Sequence, residues 1–291
     1  MERELSQLRQ ALNFSDFSKF RAQTEYENWL RRSGQCRTWH KMKEIIDRAQ
    51  AANNKKINSA LVLSNMSSPV VHLRCLCPGV DWYLIQEWAE GEKPSWLNKK
   101  FPRRCLSGQL IVNNSCYWNN GRIWESGMTD FYVDLLHSMN WQPELVICDM
   151  TLHDDADNNE EKQEENQYQI KLNEMRLALS CLKMSGTMVM KLLGVSNAET
   201  RSLISSLQTC FKTVELVKLK GSNPLNSEVY MFCHGLHSRQ THPENMRSID
   251  QLCQPLIKKQ IIEIQKFLYM CGQARSVTPQ PTYQTSFTVS E

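Results

Sequence analysis

The sequence predicts an α/β fold: an open, mostly parallel sheet with helices on both faces and a final antiparallel strand. Three observations carry this reading. Short β-rich runs alternate with amphipathic helical runs through the middle of the chain. Several of the β-rich runs stop abruptly at a turn or on a charged residue. The last two β-rich runs lie too close together for a helical crossover, which makes them antiparallel neighbours.

The elements follow in order. Leu5, Leu8 and Leu12 recur at helical spacing, and so do Trp39, Met42, Ile45 and Ile46 ahead of the polar break Ala51–Lys56. Val70–Cys77 is β-rich and ends at Pro78-Gly79, so it is read as a strand; Tyr83, Leu84, Glu87 and Trp88 then suggest a helix. Gln109–Asn114 and Glu144–Asp149 are further strands. Leu172, Met175, Leu179 and Leu182 form an amphipathic helix stopped at Ser185-Gly186. Thr187–Leu193 is a strand, Leu203, Leu207 and Phe211 mark a helix, and Val214–Val217 and Glu228–Cys233 are the closing strands. Leu252, Leu256, Ile261, Ile264 and Leu268 give a late helix. These elements divide the chain into an N-terminal helical segment (1–55), an α/β core (56–240), a helical appendage (241–275) and a Thr/Ser/Pro/Gln-rich tail (276–291) expected to be disordered.

Composition narrows the class. The 291 residues are 41% hydrophobic and 22% charged, enough for one substantial core. A net charge of +3 permits a nucleic-acid partner without arguing for one. Eleven cysteines with no CxxC pair read as reduced structural thiols, not a zinc site, and Cys75 and Cys77 read as strand packing. No apolar run approaches a membrane span and the first residues are too charged for a secretory signal, so no membrane partner is expected and the setting is cytoplasmic or nuclear. The acidic run Asp154, Asp155, Asp157, Glu160, Glu161, Glu164, Glu165 lacks a calcium-loop pattern and reads as a solvated loop; no metal site is expected.

Open α/β sheets bind ligands beyond the carboxyl ends of their strands, so Cys77-Pro78-Gly79, Asn113, Asp149 and Lys191 are the first places to look. Two charges stand out. Lys191 within Met-Val-Met-Lys-Leu-Leu and Glu228 before Val-Tyr-Met-Phe are costly in apolar strands unless they face a cleft.

Five segments carry a resemblance. Cys36–Ile45 is similar to the opening helix of the FtsJ-like RNA 2′-O-methyltransferases. Leu73–Gly79 resembles their first strand and cofactor loop, Val146–Met150 their acidic strand end, and Gly186–Lys191 their Gly-x-x-Val-x-Lys strand. Asn226-Ser227-Glu228-Val229-Tyr230 resembles the Asn-Ser-Glu-x-Tyr strand of the eukaryotic and viral mRNA cap 2′-O-methyltransferases. The resemblance implies a Rossmann-like, S-adenosylmethionine-dependent fold and a catalytic tetrad of Lys41, Asp149, Lys191 and Glu228. Lys43 competes with Lys41 for the first place.

In that tetrad Lys191 is the expected general base for a ribose 2′-hydroxyl, its pKa lowered by burial and a neighbouring cation. Lys41 is that cation, and Asp149 and Glu228 position the ammonium groups. Cys77, Pro78, Gly79, Asp81, Asn113 (or Asn114) and Asp149 are the expected S-adenosylmethionine contacts. Val80 replaces the family's second glycine, and the acid upstream of the loop is absent, which shifts that role to Asp81. Lys212, Lys218 and Lys220, with Arg31, Arg32 and Arg37, are candidates for an RNA backbone. Trp39, Tyr117, Trp118 and Trp124 are candidates for stacking on a base or cap.

The expected partner is capped RNA, with other capping or polymerase components possible and a host-cytoplasmic setting if the chain is viral. Two alternatives compete: methylation of ribosomal or transfer RNA, and a catalytically inactive RNA-binding domain, including one within a viral polymerase.

Overall fold

A computed structural model describes residues 1–13, 24–87, 100–101, 103–112, 115–151, 160–241 and 247–270, with side chains except at 108–112, 115–118, 160–162 and 247–248. The chain runs α1 (Glu2–Asn13), α2 (Glu25–Ser33), α3 (Arg37–Asn53), β1 (Ser59–Ser64), α4 (Ser68–Leu76), β2 (Asp81–Gln86), β3 (Gly108–Val112), β4 (Ser115–Asn119) and α5 (Met128–Ser138). It continues with β5 (Leu145–Asp149), α6 (Glu160–Cys181), β6 (Thr187–Leu192), α7 (Ala198–Gln208), β7 (Phe211–Val217), β8 (Val229–Leu236) and α8 (Arg247–Met270).

Six strands form the main sheet in the order β2-β1-β5-β6-β8-β7. The first four are mutually parallel, and β8 inserts antiparallel between β6 and β7. The predicted open sheet with a final antiparallel strand is therefore present. The central strands β1, β5 and β6 are almost wholly buried, as strands covered on both faces must be. One face packs against α3 and α4 through Met42, Ile45, Ile46, Ala49, Val70 and Leu73. The other packs against α5, α6, α7 and α8, and α1 joins that layer through Leu5 and Leu8.

The β1–α4–β2 unit differs from the sequence reading. Val70–Cys77 belongs to a helix, not a strand, and Asp81–Gln86 is a strand, not a helix. Ser68-Pro69 explains the first: proline fits the opening turn of a helix, and Val70 and Leu73, three residues apart, form its buried stripe. In the second, apolar residues recur at short spacing, a pattern that serves an edge strand as well as a helix. The strand feeding this unit is Ser59–Ser64, whose Ala-Leu-Val-Leu core is fully buried. Trp88 lies outside the described residues. Cys75 is exposed and Cys77 closes a helix, so neither packs in a strand. Gln109–Asn114 does start as a strand, but among the described residues β3 pairs only with β4, in a hairpin apart from the main sheet. Glu160–Glu165 opens α6 instead of lying in a solvated loop, and Glu164 is buried. Asp154, Asp155, Asp157 and the tail from 276 lie outside the described residues.

Candidate active site

The sheet reverses its winding between β1 and β5, and the crevice at such a switch point is where open α/β sheets take ligands. Ser64 ends β1 and Asp149 ends β5, and the two are register partners. Gln86 at the end of β2 lies in the same row. One strand further, Lys191 follows Met190, the partner of Cys148, and is itself paired with Tyr230 of β8. The sheet alone thus sets Gln86, Ser64, Asp149, Lys191 and Tyr230 along its carboxyl edge.

Lys41 and Glu228 arrive from outside the sheet. Met42, Ile45, Ile46 and Ala49 are the buried stripe of α3. Lys41 precedes that stripe by one residue and so emerges on its flank, toward the strand ends. The turn before β8 packs tightly beneath it. A Cβ on Gly221 would meet the Arg37 carbonyl oxygen at 2.8 Å and the Lys41 backbone nitrogen and Cγ at 2.9 Å, so only glycine seats the helix this closely. Tyr26 of α2 donates to the Gly221 carbonyl at 2.8 Å. The Lys218 ammonium pins the turn from within, donating to the Asn226 carbonyl at 2.6 Å and the Glu228 carbonyl at 2.7 Å.

The four side chains meet in an alternating chain of charge. Lys41 Nζ lies 2.7 Å from Glu228 Oε1. Lys191 Nζ lies 3.7 Å from Glu228 Oε2 and 3.5 Å from Asp149 Oδ1. Ser222 donates to Glu228 Oε1 at 2.5 Å, and Tyr230 donates to Asp149 Oδ1 at 3.3 Å. Two cations and two carboxylates leave the cluster formally neutral. Burial pushes the Glu228 carboxyl up, but the ammonium groups of Lys41 and Lys191 outweigh it and hold its pKa at about 2. Burial pulls Lys191 down, yet the carboxylates of Asp149 and Glu228 more than offset it, and its pKa lies above the ordinary lysine value. That is opposite to the expected lowering: two carboxylates close on Lys191, whereas Lys41 is turned to Glu228. Burial and Asp149 also raise the Tyr230 phenol.

An open cleft of about 680 Å3 fronts this cluster, lined by Thr38, Lys41, Asn65, Ser68, Asp149 and Lys191 among others. Lys43 does not reach it; its ammonium pairs with Asp47 at 2.7 Å on the exposed face of α3.

The loop predicted to hold a cofactor sits elsewhere. Cys77-Pro78-Gly79 ends α4, which runs antiparallel to β1, and Asp81 opens β2 opposite Ser59. Both lie at the amino edge of the sheet, across its full height from Asp149. Asp81 is engaged there with Arg104 and with the Trp141 indole at 2.7 Å. A Pro-Gly turn closing a helix reads like one closing a strand, and that ambiguity misplaced the loop. Asn113 and Asn114 lie outside the described residues.

The corresponding turn at the carboxyl edge is Ser64–Pro69, which sequence reasoning missed because it carries no glycine. Asn65 organises it, accepting from the Thr151 amide at 2.6 Å and donating to the Thr151 carbonyl at 2.8 Å. Glu87, just past β2, accepts from Asn65 and pairs with Arg122 at 3.3 Å. The Gln86 Oε1 is buried with no hydrogen-bond partner among the described residues. The apolar run Ala60–Leu63 followed by Ser64-Asn65 was the signal available.

The basic and aromatic candidates scatter. Lys218 is spent on the turn, Arg37 pairs with Glu27, and Lys212 lies against Gly235 at the amino edge. Trp39 stands edge-on to His40, and Trp124 packs on the core. Tyr117 and Trp118 are in β4, with side chains outside the description. Behind the 218–228 segment lies a larger cavity of about 820 Å3, walled by Leu5, Pro224 and Leu256 and rimmed by the exposed Lys220 and Lys259. Among the described residues no cluster could hold a metal ion, and no helix is long and apolar enough to cross a membrane.

The parallel sheet with an inserted antiparallel strand, and a charged cluster at its carboxyl edge, define the class as a methyltransferase-type α/β domain. Residues 108–236 match the FtsJ-like methyltransferase family, a stretch that includes Asp149, Lys191 and Glu228 but not Lys41. The sequence is 26% identical over 134 residues to the RNA-directed RNA polymerase L of vesicular stomatitis Indiana virus (strain 98COE North America), covering 46% of this chain and 6% of that protein. It is 32% identical over 89 residues to the cap-specific mRNA (nucleoside-2′-O-)-methyltransferase of Autographa californica nuclear polyhedrosis virus, covering 30% of this chain and 34% of the relative. This chain therefore spans a small part of the first relative and about a third of the second. Among solved structures, a Plasmodium falciparum protein described as a ribosomal RNA methyltransferase is 15% identical, with a TM-score of 0.45 over 67% of this chain and 96% of that one. Human methyltransferase-like protein 13, in complex with SAH, is 12% identical with a TM-score of 0.37 over 79% of this chain and 86% of that one.

Proposed function

We propose that this protein methylates the ribose 2′-hydroxyl of RNA, at the mRNA 5′ cap, with S-adenosylmethionine as donor. The observation that carries the reading is the alternating cluster Lys41–Glu228–Lys191–Asp149 at the carboxyl edge of a methyltransferase-type sheet. The match to FtsJ-like methyltransferases and the names of the two viral relatives support the substrate class.

The carboxyl-edge residues fit an adenosine-bearing cation. Gln86 has a buried acceptor with no partner among the described residues, Glu87 stands next to it with its carboxylate shared by Asn65 and Arg122, and Asp149 faces the cleft with negative charge. Gln86, Glu87, Asn65 and Asp149 would therefore hold the donor, at the turn after β1 and not at Cys77–Gly79. S-adenosylmethionine supplies a methyl group on a positively charged sulfur, open to in-line displacement.

The chain's own residues handle the proton. In the ligand-free protein Lys191 is an ammonium and cannot accept one. Lys191 would serve as the base once Asp149 is shared with the positively charged donor, since a weaker carboxylate partner and a nearby positive charge would lower the lysine's pKa and release its proton to solvent. Lys41, held by Glu228, orients the hydroxyl. Much of the remaining rate comes from alignment. The 820 Å3 cavity takes a neighbouring nucleotide, its apolar walls meeting a base and Lys220 and Lys259 meeting phosphates.

The deciding experiment supplies labelled S-adenosylmethionine with capped and uncapped RNA and maps the methyl group. Transfer to the 2′-oxygen of capped RNA alone is expected. Equal transfer to both RNAs would remove the cap assignment, and RNA binding without transfer would favour an inactive RNA-binding domain.

A further inference from the structure

The tetrad leaves unused one buried pair of charges directly beneath it. Lys171 and Glu174 lie one helical turn apart on α6, 3% and 0% exposed. Their ammonium and carboxylate are 2.7 Å apart. Each then reaches the same peptide backbone. Glu174 Oε1 accepts from the Met150 amide at 3.0 Å, and Lys171 Nζ donates to the Met150 carbonyl at 2.6 Å.

Met150 is the first residue beyond β5, where the ladder with neighbouring strands has ended. Its amide and carbonyl would otherwise be buried without partners, and a buried ion pair satisfies both at once. The attraction within a buried ion pair is largely offset by the cost of desolvating its charges. What this pair adds is directional: it ties one peptide by both its amide and its carbonyl. It sets the direction in which the chain leaves β5, and so where the Asp149 carboxylate points. Elsewhere on α6, Glu164 accepts from the amides of Ser196 and Asn197, in the loop that follows β6 and Lys191. One helix thus holds both strand exits that carry Asp149 and Lys191.

We propose that Lys171 and Glu174 are positioning residues for the methyl transfer, clamping the Met150 peptide so that Asp149 meets Lys191 and the donor. The inference rests on the function proposed above. Lys191 is faced by Asp149 from β5, by Glu228 and Tyr230 from the β8 side, by Lys41 from α3 and by Glu174 from α6.

The test compares the wild-type chain with the double variant Lys171→Met/Glu174→Leu, which removes both charges and keeps the volume apolar. Single variants strand one buried charge and serve only as a check on folding. Three readouts are taken: thermal midpoint, kcat and KM for RNA methylation, and the titration of the 15N-labelled Lys191 ammonium by NMR without donor or RNA. The double variant is expected to fold but to melt several degrees below wild type, since the Met150 amide and carbonyl lose their partners, to lose about tenfold or more in kcat with KM for RNA little changed, and to titrate Lys191 at lower pH as Asp149 withdraws. Wild-type kcat together with a wild-type Lys191 titration in the folded double variant overturns the proposal. If the double variant fails to fold, Lys171→Arg and Glu174→Asp take its place; a wild-type Lys191 titration in both overturns the proposal, and a lowered one upholds it. The NMR readout needs no methyl transfer, so a protein that methylates no RNA would sink the function while this clamp is still judged on Lys191.

Discussion

The two ends of the sheet's first crossover make an instructive pair. At the carboxyl edge, Ser64–Pro69 lies beside Asp149 and opens into the cleft; at the amino edge, Cys77–Asp81 is closed by Arg104 and Trp141. The second resembles a cofactor loop in sequence, and the first has the position of one. Local sequence specifies a turn, but the strand that precedes it decides which edge of the sheet the turn occupies.

The largest effect separates the edges at the chemistry itself. Lys191→Ala should cut methyl transfer by about a thousandfold, the scale of general-base loss. Circular dichroism should show an unchanged fold, since Lys191 sits at the end of β6 facing the cleft. Retained transfer would remove Lys191 as the base. Lys41→Ala should cost about a hundredfold and Lys43→Ala less than twofold, since Lys43 is spent on Asp47 at the surface. Equal losses in the two would return Lys43 to the first place.

The next effect compares the turns directly. Asn65→Ala removes the bonds that tie the Ser64–Pro69 turn to Thr151 and should weaken S-adenosylmethionine binding about tenfold by calorimetry. Pro78→Ala should leave it unchanged. The reverse result would restore the Cys77–Asp81 loop as the donor site.

Why one half of the sheet was legible and the other was not follows from these residues. In β5, β6 and β8, apolar runs end on or begin beside a charge, and a charge is too costly to sit there without a cleft. Asp149, Lys191 and Glu228 announce themselves in that way. Lys41 has no such signal: its place depends on Gly221 and on the turn before β8, contacts made between residues far apart in sequence. In β1 no charge marks the strand end, and in β2 the charges Asp81 and Glu87 flank a run that reads equally as a helix. β-branched Val70-Val71 suit either element, and only the Ser68-Pro69 start decides for a helix. The raised pKa of Lys191 was unreadable for a related reason. It depends on which carboxylates close on the ammonium, and spacing along the chain does not reveal that.

Acid stability gives a smaller but sharper contrast between the edges. Glu228 is held at about 2, below its ordinary 4.5, because the lysine ammoniums outweigh burial. A depressed carboxyl stabilises the fold fully above its unfolded value and loses that contribution as pH falls through the folded one. Wild type should therefore lose stability between about pH 4.5 and 2, measured as urea midpoints across that range. Glu228→Gln should show a flatter profile in that window, and an equally steep one would mean the pair with Lys41 contributes nothing.

The smallest effect concerns the cavity behind the 218–228 segment, which shares Ser222 with the tetrad: its hydroxyl holds Glu228 while its residue lines the cavity wall. Lys259 is exposed at the rim on α8 and touches no tetrad residue, so Lys259→Glu should leave kcat unchanged. If phosphates of the RNA pass that rim, the variant should raise KM for RNA severalfold, and the wild-type KM should climb more steeply with salt than the variant's, since one phosphate contact has been removed. An unchanged KM and an unchanged salt slope would take the RNA away from this cavity, and with it the division of labour between a cleft for the methyl donor and a cavity for the neighbouring nucleotide.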